Sequence, residues 1–331
     1  MAVYTTIDDP EAYFQPQLYT GNGSANHAIT LDGDTDMQPD LVWIKNRDAT
    51  DSHVLFDSVR GATKLLDVYT TAAEATDADT LDSFASDGFQ VDADVKVNTN
   101  AEKYVAWCWK ESATAGFDIV AYTGTGSAKT ESHSLSAVPK MIVVKNRSDV
   151  DAWRAYHHMV SSDAEDRYLI FHQSAASADD NTVWNDTAPT TSVFSVGTSD
   201  ETNENTDSLI AYLWSEKQGY SKFGVYTGTG NVDGPFAYTG FRPAYVLTKA
   251  RAYGQGWLHM DNKRPGYNPV DAIGQSTAAE YTTGFDMDFL SNGFKVRTTD
   301  GATNASGQGY IFMAFAEQPF VNTNKAPANA R

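Results

Sequence analysis

Cysteine is nearly missing from this chain. Cys108 is the one such residue in 331, so no intrachain disulfide can form. It lies in Tyr104-Val-Ala-Trp-Cys-Trp109 and reads as a small core residue. Long apolar runs are missing too, and none approaches the roughly eighteen residues of a membrane span. The start, Met1-Ala-Val-Tyr-Thr-Thr-Ile-Asp-Asp9, has neither the basic nor the apolar region of a signal peptide, which points to synthesis in a cytoplasm without a secretion signal. Positive charge is scarce: 24 Lys and Arg stand against 43 Asp and Glu, for a formal charge of −19. Such a surface repels phosphates and disfavours nucleic-acid binding through a general basic face; its simplest role is solubility. Helical periodicity is almost absent as well.

What the chain does have is aromatics (12%), 24 glycines and a pattern that returns. Pro39-Asp-Leu-Val-Trp-Ile-Lys-Asn-Arg47 recurs as Pro139-Lys-Met-Ile-Val-Val-Lys-Asn-Arg147 and as Pro243-Ala-Tyr-Val-Leu-Thr-Lys-Ala-Arg251. Each copy is a proline, an apolar or β-branched run and a basic tripeptide, which reads as a buried strand ending in a charged turn. Other landmarks keep the same order. A Tyr-Thr-Gly-x-Gly turn precedes each copy at Tyr19, Tyr122 and Tyr226. His53, Trp153 or Trp257 follows each proline by 14 residues. Each unit closes on an aromatic strand: Tyr104 to Trp109, Leu209 to Trp214, Tyr310 to Phe315. The chain is therefore read as a threefold internal repeat.

Short strands and frequent turn signals indicate an all-β protein of three tandem antiparallel β-sandwich (jelly-roll-like) repeats with short linkers. The expected division is an N-terminal arm at 1–17, repeats at 18–112, 113–217 and 218–321, and a C-terminal tail at 322–331. Ile7, Tyr13 and Phe14 would tuck the arm against a domain or a neighbouring subunit. Asp87-Gly88 and Asn292-Gly293 mark aromatic hairpins in the first and third repeats, and Ser192 to Val196 replaces that hairpin in the second. Gln90 to Val97 alternates and reads as a half-buried strand. Each repeat should pack Trp109, Trp214 or Phe315 at a comparable core site.

No constellation carries recognisable chemistry. Gly124-Thr-Gly-Ser-Ala-Lys-Thr130 lacks the glycine before lysine that a phosphate loop needs, and a hairpin turn is the simpler reading. Asp32-Gly-Asp-Thr-Asp36 resembles the start of a calcium loop but lacks its later glycine and glutamate, leaving a solvated acidic turn as the default. His133, His157, His158 and His172 cluster in the second repeat, yet adjacent His157 and His158 point to opposite faces of a strand. No Gly-x-Ser-x-Gly elbow and no recurring carboxylate pair suggests an enzyme. The expectation is no catalytic residue, no cofactor and no metal. Trp107, Trp109, Trp184, Trp214 and Trp257 could stack on sugars, though aromatics in closing strands are more often core. Lys45, Arg47, Lys145 and Arg147 are basic spots on an acidic protein. They are candidate subunit contacts; the simpler reading pairs them with local aspartates.

Several strings resemble a repeat family of tailed bacteriophages, especially those of marine bacteria and cyanobacteria. They are Thr5-Thr-Ile-Asp-Asp-Pro-Glu-Ala-Tyr-Phe14, Leu18-Tyr-Thr-Gly-Asn-Gly23, Leu41-Val-Trp-Ile-Lys-Asn-Arg47, Leu55-Phe-Asp-Ser-Val-Arg-Gly61, Phe117-Asp-Ile-Val-Ala-Tyr-Thr-Gly-Thr-Gly126, Gly234-Pro-Phe-Ala-Tyr-Thr-Gly-Phe-Arg-Pro243 and Met313-Ala-Phe-Ala-Glu-Gln-Pro-Phe320. The resemblance spans the chain and implies a non-enzymatic virion structural protein, made in the bacterial cytoplasm and exposed on the particle surface. A tail fibre, knob or other receptor-facing part is the first expectation. A capsid decoration protein is the second, and a carbohydrate-binding module for host attachment the third. The implied partners are other virion proteins, further copies of the chain and a host surface glycan, with no nucleic acid and no membrane insertion.

Overall fold

The computed structural model describes residues 4–274, 279–280 and 284–329. Among them the protein is all-β, with 25 strands in antiparallel sheets, none closed, and helical pieces of only three or four residues. Each third of the chain begins with an opening strand: Phe14–Thr20, Phe117–Thr123 or Ser221–Thr227. This pairs with a closing strand, Lys103–Trp109, Ser208–Ser215 or Gly309–Pro319. The closing strand pairs in turn with a proline-led strand, Leu41–Asn46, Pro139–Asn146 or Phe241–Ala250. A fourth strand (Val54–Asp57, Arg154–His157, Leu258–Asp261) and a fifth (Lys64–Asp67, Arg167–Ile170, Ala272–Gly274) extend each sheet as a meander. A small sheet covers one face, giving β-sandwich character. It pairs His27–Thr30, Lys129–Ser132 or Phe236–Tyr238 with Gly88–Val91, Val193–Val196 or Gly293–Val296. A jelly roll would send the fourth and fifth strands across to the second sheet. Here residues 47–53 turn the chain straight back beside the strand it has just left.

Local chemistry explains why the Tyr-Thr-Gly-x-Gly turns recur. Tyr19, Tyr122 and Tyr226 donate their hydroxyls to Val97, Thr202 and Thr303 carbonyls at 2.7, 2.7 and 2.9 Å. Asn98, Asn203 and Asn304, all fully buried, accept backbone N–H bonds from the turn and donate back to its carbonyls. A Cβ on Gly21 would sit 2.2 Å from the Thr99 carbonyl oxygen, so only glycine lets the two segments approach. These asparagines precede Tyr104, Leu209 and Tyr310 by one constant interval, a signal the sequence reading passed over.

Two boundaries differ from expectation. Residues 14–17, assigned to the arm, are the first half of the opening strand; Pro16 is tolerated because that strand is a sheet edge. The strand from Gln90 stops at Val91, and Val95–Asn98 is a helical turn capped by the Asp94 carboxylate on the Lys96 N–H. The alternation of valines there was accidental. Both aromatic hairpins form, with Phe84 opposite Phe89 and Phe289 opposite Phe294. In the second segment the helical turn Asn181–Trp184 stands in for the missing hairpin strand. The arm does tuck in: Ile7 is buried, and Tyr13 meets Tyr220 edge-on at 6.2 Å.

The other face of each large sheet turns toward the other two segments. There Phe14 stacks on Phe315 at 5.0 Å, and Trp109 meets Trp214 at 6.3 Å and Phe315 at 5.7 Å. Trp109, Trp214 and Phe315 hold equivalent register positions, each opposite the start of its opening strand. This shared core is continuous with the second segment's own, whereas the first and third segments also have separate cores. The indole N–H groups of Trp109 and Trp214 have no hydrogen-bond partner among the described residues.

Polar seams join the segments in a ring. Trp153 and Trp257 donate their indole N–H at 3.1 Å to the Asp67 and Ile170 carbonyls, and His53 contacts the Gly274 carbonyl. Each aromatic thus meets the end of the preceding segment's fifth strand, and the first segment is preceded by the third. At the first seam, buried Asp57 holds Arg60 and accepts from the Tyr212 hydroxyl at 2.6 Å, while Glu74 bridges Arg60 and Arg147. At the third seam Asp261 holds Arg264 and accepts from Trp107 at 3.1 Å, while Glu280 bridges Arg264 and Arg47. The middle seam lacks this network. Met313 replaces the donor, and His157 and Val160 replace the Asp and Arg. Ser177 takes the place of the glutamate, its N–H bonded to the Arg251 carbonyl as Glu74 is to Arg147.

Truncating Trp214 to Ala should cost about 3–5 kcal/mol in urea denaturation. Trp214→Phe should cost much less, because it keeps the packing and removes an unpaired buried donor. Equal losses for the two would show that packing at this site is not what matters. Asp57→Ala strips Arg60 and Tyr212 of their acceptor and should cost about 3–5 kcal/mol; a loss below about 1 kcal/mol would make the seam no stronger than a surface pair.

Candidate functional site

The four basic residues singled out in the sequence lie at the seams. Lys45 and Lys145 are fully buried, their ammonium groups donating to Asn46 and Asn146 carbonyls and onward to Ala49, Asp149 and Thr71 carbonyls. Lys249 follows the same pattern toward Ser174. Burial pulls all three lysines down to about 8. Arg47 and Arg147 pair with Glu280 and Glu74 of adjoining segments. The lysines bond carbonyls and the arginines glutamates; the local carboxylates Asp51 beside Lys45 and Asp149 and Asp151 beside Lys145 act on them through charge.

The other candidates disperse. Trp107, Trp109, Trp184, Trp214 and Trp257 are all buried and cannot stack on a sugar. His133 contacts the Thr190 carbonyl, His157 the Phe312 carbonyl and His172 the Gln173 amide, so the three do not converge. Around the 32–36 turn, Asp32 pairs with Lys263, Asp9 accepts from Thr35, and the Asp34 N–H donates to Glu11. No group of three His, Cys, Asp or Glu able to hold a metal occurs among the described residues. Gly124 to Ala128 is a turn but not a hairpin: the flanking strands Phe117–Thr123 and Lys129–Ser132 lie in different sheets.

The structure instead presents an open cleft of about 550 Å³ at the middle seam. Its floor is Gly224 and the ring of Phe312, which face each other across the opening and closing strands. A Cβ on Gly224 would fall 2.5 Å from that ring, so the glycine makes room for the phenylalanine. One wall is Phe236 and Tyr238, alternate residues of an edge strand that are 45% and 58% exposed. Ala237 between them is buried, as period-two alternation requires. Lys140, His158 and Met159 from the second segment also line the cleft. His158 contacts the Phe223 carbonyl at 3.1 Å, and burial holds its pKa below the ordinary value, so it is neutral at pH 7. Lys222 pairs with Glu216 at 2.7 Å along the rim.

Matching sheet registers shows how far this cleft departs from the other segments. Gly224 corresponds to Gln17 and Val120, and Phe312 to Ala106 and Ala211. Phe236 corresponds to Ala28 and Thr130, and Tyr238 to Thr30 and Ser132. Lys140 and His158 share a backbone bond that Asp40 with Ser58, and Ala244 with Asn262, repeat elsewhere. At this cleft the third segment thus carries three aromatic rings where the other two segments have small side chains.

A family model described as a domain of unknown function, DUF7483, matches residues 9–319. The chain belongs to the DUF7483 family. No curated protein and no solved structure matches it. No described helix of this DUF7483 chain is long and apolar enough to cross a membrane.

Buried imidazoles make the protein acid-sensitive. Burial lowers His53 and His157 to about 3 and His172 to about 4. The unfolded chain protonates below about 6.5 while the folded chain does not, so stability present above that pH is lost as pH falls, by about 1.4 kcal/mol per pH unit per histidine. The urea midpoint should drop between pH 7 and pH 5, and His157→Gln should make the drop shallower. An unchanged slope in that variant would show that His157 protonates freely in the folded state.

Proposed function

We propose that this protein is a non-enzymatic structural component of a bacteriophage particle, exposed on the particle surface and tail-associated, in a fibre, knob or other receptor-facing part. Its architecture is read as three tandem β-sandwich repeats locked into one body. The observation that carries the proposal is the ring of seams. Buried Asp, Arg and Lys side chains and partly buried Glu, the groups that an active site would use, are engaged in holding the segments together. Buried charge networks of this kind favour a unique arrangement over a mobile one. The motif resemblance supports the placement on a phage, and the altered cleft suits a surface that meets a ligand.

The ring also favours a second reading, a capsid decoration protein. Three like segments around one centre can match three neighbouring head subunits, because related surfaces repeat around the axis. Further copies of the chain and other virion proteins are the partners in either case.

Immunogold labelling of particles should place the protein at the tail. Gel densitometry should give about a dozen copies or fewer per particle, as a closed appendage of low symmetry requires. Label confined to the head shell, with hundreds of copies, would replace the tail placement by decoration.

A further inference from the structure

The cleft at the middle seam has a specific chemistry. Phe236 and Tyr238 expose two aromatic rings from adjacent outward positions, beside an apolar floor of Gly224 and Phe312. Exposed aromatic faces carry negative quadrupole density and attract the polarised C–H face of a pyranose ring. Polar groups lining the cleft, Lys140, neutral His158 and the Lys222–Glu216 pair, are placed to bond hydroxyls. The volume of about 550 Å³ falls within the range of small-molecule sites.

Charge narrows the ligand further. Lys222 is neutralised by Glu216, whereas no ion pair engages Lys140 among the described residues. The corresponding position in the first segment is Asp40, of opposite sign. A lone ammonium in a cleft favours an anion, but the chain's formal charge of −19 repels anything polyanionic. One carboxylate on one sugar satisfies both conditions.

We propose that this cleft is a binding site for an acidic saccharide, a pyranose bearing a single carboxylate, whose apolar face lies on Phe236 and Tyr238 and whose carboxylate meets Lys140. The inference rests on the receptor-facing reading above and identifies the class of receptor chemistry. The register comparison supports it: Phe312, Phe236 and Tyr238 each replace a small side chain in both other segments, and all three line the cleft. A purely structural seam would not need two exposed aromatics on the edge strand.

The test is an NMR titration of the full chain with D-glucuronic acid, D-galacturonic acid, D-glucose and the acyclic carboxylate glutarate. One of the two uronic acids should bind, with glucose and glutarate weaker by about tenfold. Tyr238→Ala, Phe236→Ala and Lys140→Ala should each weaken that binding by about tenfold while leaving the thermal midpoint unchanged, since none of the three side chains is in the core. Binding of glutarate as tight as the uronic acids, or of uronic acid undiminished in Tyr238→Ala, would overturn the site. So would binding by none of the four probes. Particle labelling reads placement independently, so failure of this site would leave the virion assignment standing, and failure of the labelling would leave the cleft chemistry intact.

Discussion

Each large sheet has two apolar faces, and its small sheet covers only one of them. The first segment shows this directly: Val42, Ile44 and Phe56 pack with Ile29, Phe89 and Val91, while Leu41, Trp43, Trp107 and Trp109 are left facing the other way. Burying that second face is the constraint on which the arrangement depends. Three such faces turned inward cover one another and bring Trp109, Trp214 and Phe315 to a common centre. The aromatic repeat of the closing strands follows from this, because rings of that size fill the space between three sheets.

Closing the ring buries main-chain ends and charged side chains that must then be satisfied. The seams answer with one device used three times, an aromatic N–H on the carbonyl ending the neighbouring fifth strand. Among the described residues the Asp–Arg–Glu network occurs twice. It is found where Tyr212 and Trp107 supply a donor to the buried aspartate, and it vanishes where Met313 does not. A buried carboxylate without its full set of donors is costly, so losing one member leads to losing the rest. That coupling explains why His157, Val160 and Ser177 depart together from the pattern of the other two segments.

The middle seam, freed from this network, is also where the surface is altered. Gly224 and Phe312 exchange bulk across paired strands, and Phe236 and Tyr238 add two rings to the wall above. Structure and proposed function are thus divided between seams: two hold the body together by buried charge, and one carries the cleft.

The sequence by itself determined the all-β class, the recurring landmarks, both aromatic hairpins and the burial of the closing-strand rings. All of these depend on contacts between near neighbours or on period-two patterning, which a single chain displays. It misled at Gln90 to Val97, because alternating valines cannot reveal that Asp94 caps a helical turn. Only the tertiary structure decided where Arg47, Lys145 and Arg147 go, since their partners Glu280, Thr71 and Glu74 are distant in the chain, whereas Lys45 bonds the nearby Asn46 and Ala49 carbonyls. The cleft was hidden for the same reason. Phe236 and Tyr238 were visible in a quoted motif, but their exposure depends on sheet register. That they share a cleft with Lys140 and His158 depends on how the second and third segments meet, and that is set by packing around a shared core rather than by any local run of residues.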